Sequence, residues 1–266
     1  MFKFHVIGNP INHSSSPMLF KYIFKQLDID GSYTKKCIKL DSNLKSEIDF
    51  FQKKSATGIN ITMPFKSKLI SYADILDNDS IQTGNVNCFH FKNKKIYGYN
   101  NDVYGFSKML NHNTIKLAGS NNIIIGSGSS ASSIILSLLK QNVNNIFILS
   151  RNRKSTNQIM NNFKNNKIKK LPNNKKIENC NLINCTPITL LKNQNFDIIN
   201  KIPKMKFTNI IDINYKIENN ILDFSCENKI NGKAMFIFQA LKSLDIWFES
   251  NISNKLDYNQ LDKLIC

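Results

Sequence analysis

The sequence predicts an α/β protein of two domains, and three observations carry that reading. Short apolar runs of strand type alternate with helical patterns from the first residues onward. The alternation starts afresh near Asn122, where a second apolar run opens a new strand–helix–strand unit. A strongly apolar helix pattern at Lys233–Phe248, followed by another at Asn254–Ile265, comes after that second series and is expected to return to the first half. The 266 residues, 41% of them hydrophobic, suffice for two packed cores.

The elements follow in order. Met1 to Gly8 reads as a first strand, Phe2–Gly8, rather than a signal or transit peptide. Helical patterns at Pro17–Leu27 and Leu44–Lys53 alternate with strands at Tyr33–Cys37 and Gly58–Ile61. In the second half the run Ile123-Ile124-Ile125 is followed by a loop at Gly126–Ala131, a helix pattern at Ile134–Leu139 and the strand Ile146–Leu149. Two stretches rich in lysine and asparagine, Asn161–Asn174 and Lys216–Lys229, read as surface connections. The expected division is a first domain of residues 1–101 with 233–266, and a second of 102–232.

Composition excludes several classes. No run approaches the roughly 18 apolar residues of a membrane span, so a cytoplasmic protein without a membrane partner is expected. Six cysteines lack paired close spacing, and Cys180 and Cys185 lack partnering histidines nearby, which argues for reduced thiols and no metal site. The net charge of +17 suggests nucleic acid at first sight, but the excess is lysine spread along the chain beside 40 asparagines, without a nucleic-acid motif. Small anionic molecules are the more natural partners, for a monomer or homodimer.

Chemistry concentrates at three places. The run Ile59-Asn60-Ile61-Thr62-Met63-Pro64-Phe65-Lys66 breaks an apolar strand at Pro64 and delivers Asn60, Thr62 and Lys66 at one strand end, where open α/β sheets build their sites. Gly126-Ser127-Gly128-Ser129-Ser130-Ala131 lies between an apolar strand and a helix, the setting in which glycines let a backbone approach a dinucleotide's pyrophosphate. The next strand ends in Ser150-Arg151-Asn152-Arg153, where an acidic residue favours NAD and a basic one NADP. Arg151 and Arg153 are the two arginines of a chain with 34 lysines, and a guanidinium offers the forked phosphate contact that lysine lacks. NADP is therefore the expected cofactor.

With these pieces placed, the chain resembles the shikimate dehydrogenase family over nearly its whole length. Gly8-Asn9-Pro10-Ile11-Asn12-His13-Ser14-Ser15-Ser16-Pro17 is similar to that family's G-x-P-x-x-H-S-x-S-P loop, and Asn60–Lys66 to its N-V-T-x-P-F-K signature. Gly84-Asn85-Val86-Asn87-Cys88 resembles G-A-V-N-T, and Gly98-Tyr99-Asn100-Asn101-Asp102 resembles G-x-N-T-D. Asn184-Cys185-Thr186-Pro187 resembles N-A-T-P, and Asp212-Ile213-Asn214-Tyr215 resembles D-x-x-Y. Gln239 falls where the family places a glutamine.

The resemblance implies a substrate-binding α/β domain completed by the C-terminal helices, and a Rossmann-like NADP-binding domain. It implies NADPH-dependent, reversible reduction of 3-dehydroshikimate to shikimate, in a cleft between the domains, with Lys66 and Asp102 as the acid–base pair. Ser14, Ser16, Asn60, Thr62, Asn87, Tyr215 and Gln239 join that pair in holding the substrate. Gly126, Ser127, Gly128, Ser129, Ser130, Ser150, Arg151, Asn152, Arg153, Asn184, Thr186 and Gly232 form the expected cofactor set. Departures from the pattern are Ser129 and Ser130 in the glycine loop, Cys88 and Asn101 for threonines, Val103 for a glycine, and Lys233-Ala234 within the G-L-G-M stretch. Structural alternatives are a helix-capping role for Ser14 and Ser16, a core role for Tyr215, and a structural His13. The rival functions are a quinate/shikimate enzyme using NAD and a silent metabolite-binding paralogue.

Overall fold

Phe2–Gly8 (β1) is an interior strand of the first sheet in this computed structural model, which describes residues 1–171, 177–186, 198, 200–215 and 224–265. The chain divides into two compact units, Met1–Gly105 with Ile237–Cys266, and Phe106–Phe236.

In the first unit, α1 (Ser16–Gln26) leads from β1 to β2 (Gly31–Cys37), and α2 (Leu44–Lys53) leads on to β3 (Gly58–Ile61). Both strands run parallel to β1, and the register sets Val6 opposite Asn60. After the short β4 (Ile75–Leu76) and α3 (Asn78–Thr83), β5 (Cys88–Lys92) and β6 (Lys95–Tyr99) form an antiparallel hairpin on β3. The sheet order is β2-β1-β3-β5-β6-β4. The hairpin loop, Asn93-Lys94, has φ of 50° and 61°, the left-handed pair that a two-residue turn between twisted strands requires. Lysine occupies the position usually given to glycine, so this turn carries no strong sequence signal. Ile7, Phe51, Ile59, Phe65 and Phe89 fill the core on one face of the sheet. The helix α4 (Asn101–His112) then begins directly at the end of β6, with Asp102 in its first turn.

The second unit contains β7 (Asn121–Ile125), α5 (Ser129–Lys140), β8 (Asn145–Leu149), α6 (Arg153–Phe163), β9 (Ile168–Lys170), β10 (Cys180–Asn184), β11 (Phe207–Asp212) and β12 (Cys226–Asn231). Its parallel sheet has the order β12-β11-β10-β7-β8-β9. The sequence of strands reverses direction between β7 and β10, and such a switch point opens a crevice at the carboxyl ends of the strands. The two lysine- and asparagine-rich stretches are not connections alone, as the sequence suggested. They contain β9 and most of β12, edge strands in which polar side chains face solvent while Ile168 turns inward.

A row of amides crosses this sheet at one level. Asn228 donates to Asn209, Asn209 to Asn181, and Asn181 to Asn122, at 3.1, 2.7 and 3.0 Å. Asn122 closes the row on the Ser120 hydroxyl at 3.1 Å. Asn122, Asn181 and Asn209 are all buried, although asparagine is a poor strand former. Along the row each donated hydrogen meets an oxygen of the next amide or of Ser120, which offsets much of the penalty of burying these groups.

The last elements are α7 (Lys233–Phe248) and α8 (Tyr258–Leu264). Trp247 of α7 stacks on Phe4 at 4.6 Å between centroids and donates its indole N–H to the Phe89 carbonyl of the first sheet. A side chain at Gly58 would place its Cβ 2.0 Å from the Trp247 indole nitrogen. Gly58→Ala is therefore expected to destabilise the fold by at least the ~1–3 kcal/mol typical of overpacking, read as a lowered midpoint in denaturant with an unchanged slope. The helix expected over Asn254–Ile265 is broken: a 3-10 turn, Ile252–Lys255, ends before Asp257, whose carboxylate caps α8 by accepting from the Asn259 N–H. Among the described residues, no helix is long and apolar enough to cross a membrane.

Candidate functional site

In the first unit a polar cluster forms where β3, β5 and α4 converge. After β3 the chain turns through Thr62–Lys66, with the Phe65 N–H bound to the Thr62 carbonyl at 3.0 Å and Phe65 wholly buried in the core. That anchor fixes its neighbour Lys66, whose carbonyl accepts from Val86 N–H at 3.0 Å. Lys66 Nζ donates to Asp102 Oδ2 at 2.5 Å, with side-chain exposures of 13% and 7%. Asn87 Nδ2 donates to the other oxygen, Asp102 Oδ1, at 2.7 Å. Asn87 Oδ1 in turn accepts the Asn101 N–H at 2.8 Å, so one amide holds both the first turn of α4 and the carboxylate on it. The backbone of Asn87 ties to Ile61 and Tyr99, which makes this asparagine a fixed point of the sheet as well.

Asn60 lies beside this group on β3. Its Oδ1 accepts from the Tyr33 hydroxyl at 2.7 Å, and its Nδ2 donates to Ser243 Oγ at 2.8 Å and to the Asn87 carbonyl at 3.4 Å. Burial raises the Tyr33 phenol well above its ordinary value, against an opposing hydrogen bond with Ser16, so the phenol stays a donor. Burial likewise pushes the neighbouring Cys88 thiol up to about 12, which keeps it neutral and unreactive.

Ser14 and Ser16 stand at the N-terminus of α1, 3.3 Å apart through their hydroxyls. Neither is the helix cap: that place is taken by Ser15, which makes no side-chain capping bond. The Ser16 N–H donates to Ser14 Oγ at 3.3 Å and Pro17 carries no N–H, so the two hydroxyls gather at the positive end of α1, a setting that favours an anion. Thr62, half-buried, follows β3, and Gln239 lies on α7 within the same unit. Tyr215 belongs to the second unit, half-buried and stacked on Phe236 at 4.3 Å.

The expected cofactor residues all belong to the second unit, at the carboxyl ends of its strands. A cavity of about 330 Å³ is lined by Gly126, Ser127, Ser150, Arg151, Asn152, Thr186 and Ile198. Gly126 has φ +111°, and a Cβ there would meet Thr186 at 2.9 Å, so glycine is required at the end of β7. Gly128 caps α5 with no side-chain bond, and the space where its Cβ would stand is open. Ser129 and Ser130 form the first turn of α5. These features leave an uncapped helix N-terminus facing open space, which suits a pyrophosphate.

Arg151 is exposed at the cavity, and Arg153 begins α6. The Asn152 side chain caps α6 by accepting from Ser155 N–H at 3.1 Å. Ser127 Oγ lies 2.7 Å from Ser150 Oγ and 2.9 Å from Ser155 Oγ, joining three elements through hydroxyls. Asn184 and Thr186 are turned on each other, with Thr186 Oγ1 donating to Asn184 Oδ1 at 2.6 Å. Asn184 also donates to Asp212, whose carboxyl burial holds above the usual range despite bonds from Asn214 and Asn184. Gly232 packs onto the Ile213 backbone, where a Cβ would meet the carbonyl at less than van der Waals distance. Asn184 and Gly232 thus each have a structural reason to be where they are. Pro187, of the same motif as Asn184, lies outside the described residues.

Three residues of these clusters escaped the sequence reading: Tyr33, Ser155 and Ser243. Ser243 had a detectable signal, being a small polar residue four positions after Gln239 and so on the same face of the helix. The others had none beyond their neighbours.

Comparison with known proteins points one way. A family model described as the shikimate dehydrogenase substrate binding domain matches residues 6–89. A second, described as shikimate / quinate 5-dehydrogenase, matches residues 108–222. The chain is 30% identical over 262 residues to a shikimate dehydrogenase (NADP(+)) of Clostridium beijerinckii, covering 94% of this chain and 93% of that one. It is 32% identical over 247 residues to the protein of the same name from Pelagibacter ubique, covering 92% of each. In fold it is similar to the crystal structure of shikimate dehydrogenase from Aquifex aeolicus, with a TM-score of 0.83 at 23% identity, over 100% of this chain and 97% of the other.

Proposed function

Because the chain belongs to the shikimate dehydrogenase family, we propose that it interconverts shikimate and 3-dehydroshikimate with NADP, using Lys66 and Asp102 as its acid–base pair. The contact of Lys66 Nζ with Asp102 Oδ2 at 2.5 Å carries this reading, since it places an ammonium and a carboxylate together at a strand end among hydrogen-bonding amides. Reduction of a ketone needs a hydride at the carbonyl carbon and a proton at its oxygen, and a positioned side chain must supply the proton. NADPH, when bound, supplies the hydride. Lys66 holds the proton for the carbonyl oxygen, and Asp102, itself fixed by Asn87, orients Lys66 and accepts from a ring hydroxyl.

The remaining roles follow the chemistry of the groups. The paired hydroxyls of Ser14 and Ser16 at the N-terminus of α1 support their holding the substrate carboxylate. Asn60, Thr62, Asn87 and Gln239 offer the hydroxyl and amide groups that a polyhydroxylated ring requires. In the second unit the glycine loop and the N-terminus of α5 take the pyrophosphate, while Arg151, with Ser127 and Ser150 beside it, reads the 2′-phosphate. We assign residues 1–101 with 233–266 to the substrate and 102–232 to NADP, with Asp102, the first residue past that boundary, serving the substrate from the unit Met1–Gly105. For Tyr215 the contact described is its stacking on Phe236.

The deciding experiment is shikimate-dependent formation of NADPH, with quinate and NAD as parallel controls. Turnover with shikimate and NADP far above either control is expected. Equal turnover with quinate or NAD would favour the broader enzyme, and no turnover would leave a metabolite-binding paralogue.

A further inference from the structure

We propose that Ser243 is a positioning residue for the reaction, acting as the single acceptor that fixes two site amides at once. Ser243 Oγ accepts from Asn60 Nδ2 at 2.8 Å and from Asn101 Nδ2 at 3.0 Å, while donating to the Gln239 carbonyl at 3.0 Å. A hydroxyl has one hydrogen and two lone pairs, and all three are used. Ser243 is fully buried, so no water can replace it without displacing side chains.

What it fixes is directional. Asn60 receives the Tyr33 hydroxyl on Oδ1 and gives both amide hydrogens to Ser243 and the Asn87 carbonyl. Its unused capacity is one lone pair on Oδ1, so Asn60 can face a substrate only as an acceptor. A flipped amide would set Oδ1 against the Ser243 lone pairs and Nδ2 against the phenol, losing both bonds. Asn101 is bound at its side chain by Ser243 and at its backbone N–H by Asn87, and it immediately precedes Asp102. One hydroxyl on α7 therefore sets the facing of an amide on β3 and the start of the helix that presents the carboxylate.

This proposal rests on the reading of Lys66 and Asp102 as the reacting pair, and the experiment keeps the two apart. In Ser243→Ala, two buried amides lose their acceptor, and kcat/KM for shikimate is expected to fall about tenfold or more, with the dissociation constant of NADP+ alone unchanged. Ser243→Thr retains the hydroxyl and restores most of the loss. Ser243→Cys, nearly isosteric and a weaker acceptor, gives an intermediate value and serves if the alanine variant does not fold. A lowered melting temperature with wild-type kcat/KM in the folded enzyme would show a merely structural serine and overturn the proposal. Equal losses in the alanine and threonine variants, or full activity in the cysteine variant, would overturn it too. Lys66→Ala in the same assay tests the underlying reading: if it is inactive while Ser243→Ala is normal, only the role of Ser243 is lost.

Discussion

Lys66→Ala and Asp102→Ala are each expected to lower kcat by roughly 100-fold or more while leaving the fold intact, the usual worth of a positioned acid–base group. The expectation follows from how completely each group is tied into the cluster. Asp102 receives Lys66 on one oxygen and Asn87 on the other, and no second lysine or arginine is paired with it among the described residues. Removing Lys66 takes away the proposed proton carrier and leaves a buried carboxylate with one amide. Removing Asp102 leaves the ammonium in place but free to turn away. Single-turnover hydride transfer separates both defects from slow product release. Near-normal turnover in either variant would sink the pair as an acid–base device.

Arg151→Ala is expected to weaken NADPH by about 1.5–3 kcal/mol, roughly 10- to 150-fold, with little change for NADH, because a charge-assisted phosphate contact is lost while the rest of the dinucleotide is held as before. Arg151 lines the cavity at the glycine loop, whereas Arg153 starts the adjacent helix. Arg153→Ala should therefore cost less. Equilibrium titration of both nucleotides tests this, and equal losses for NADPH and NADH would show that Arg151 does not read the 2′-phosphate.

Much of this was legible in the sequence because the signals were local. Pro64 and Gly126 mark the ends of β3 and β7, and the residues clustered about them are the ones that strand-end chemistry needs. The apolar runs located β1, β3, β7 and β8, and the pattern Lys233–Phe248 matched α7 at both ends. What escaped depended on partners far along the chain. Ser243 meets Asn60 across 183 positions, and Tyr33 is a site-cluster residue only because β1 brings β2 and β3 to its two sides. The strands β9 and β12 were hidden because edge strands with lysine and asparagine facing water look like loops. Asn152 and Gly232 were read for a ligand, yet each also answers a backbone need, capping α6 or making room for Ile213.

The row of asparagines across the second sheet solves a problem that its isoleucines create. Runs such as Ile123-Ile124-Ile125 are apolar on both faces, so sliding β10 along β7 or β11 by two residues would leave the hydrophobic pattern almost unchanged. The amides do not tolerate such a slip. Shifted by two, Asn209 would oppose Ile183 instead of Asn181, and each stranded amide would stay buried without a partner, at about 1–3 kcal/mol apiece. Alignment errors that greasy strands cannot sense are thereby made costly. Since the glycine loop and Asn184 sit on those same strands, a misaligned sheet would also set Gly126 and Thr186 at different heights and close the crevice they share.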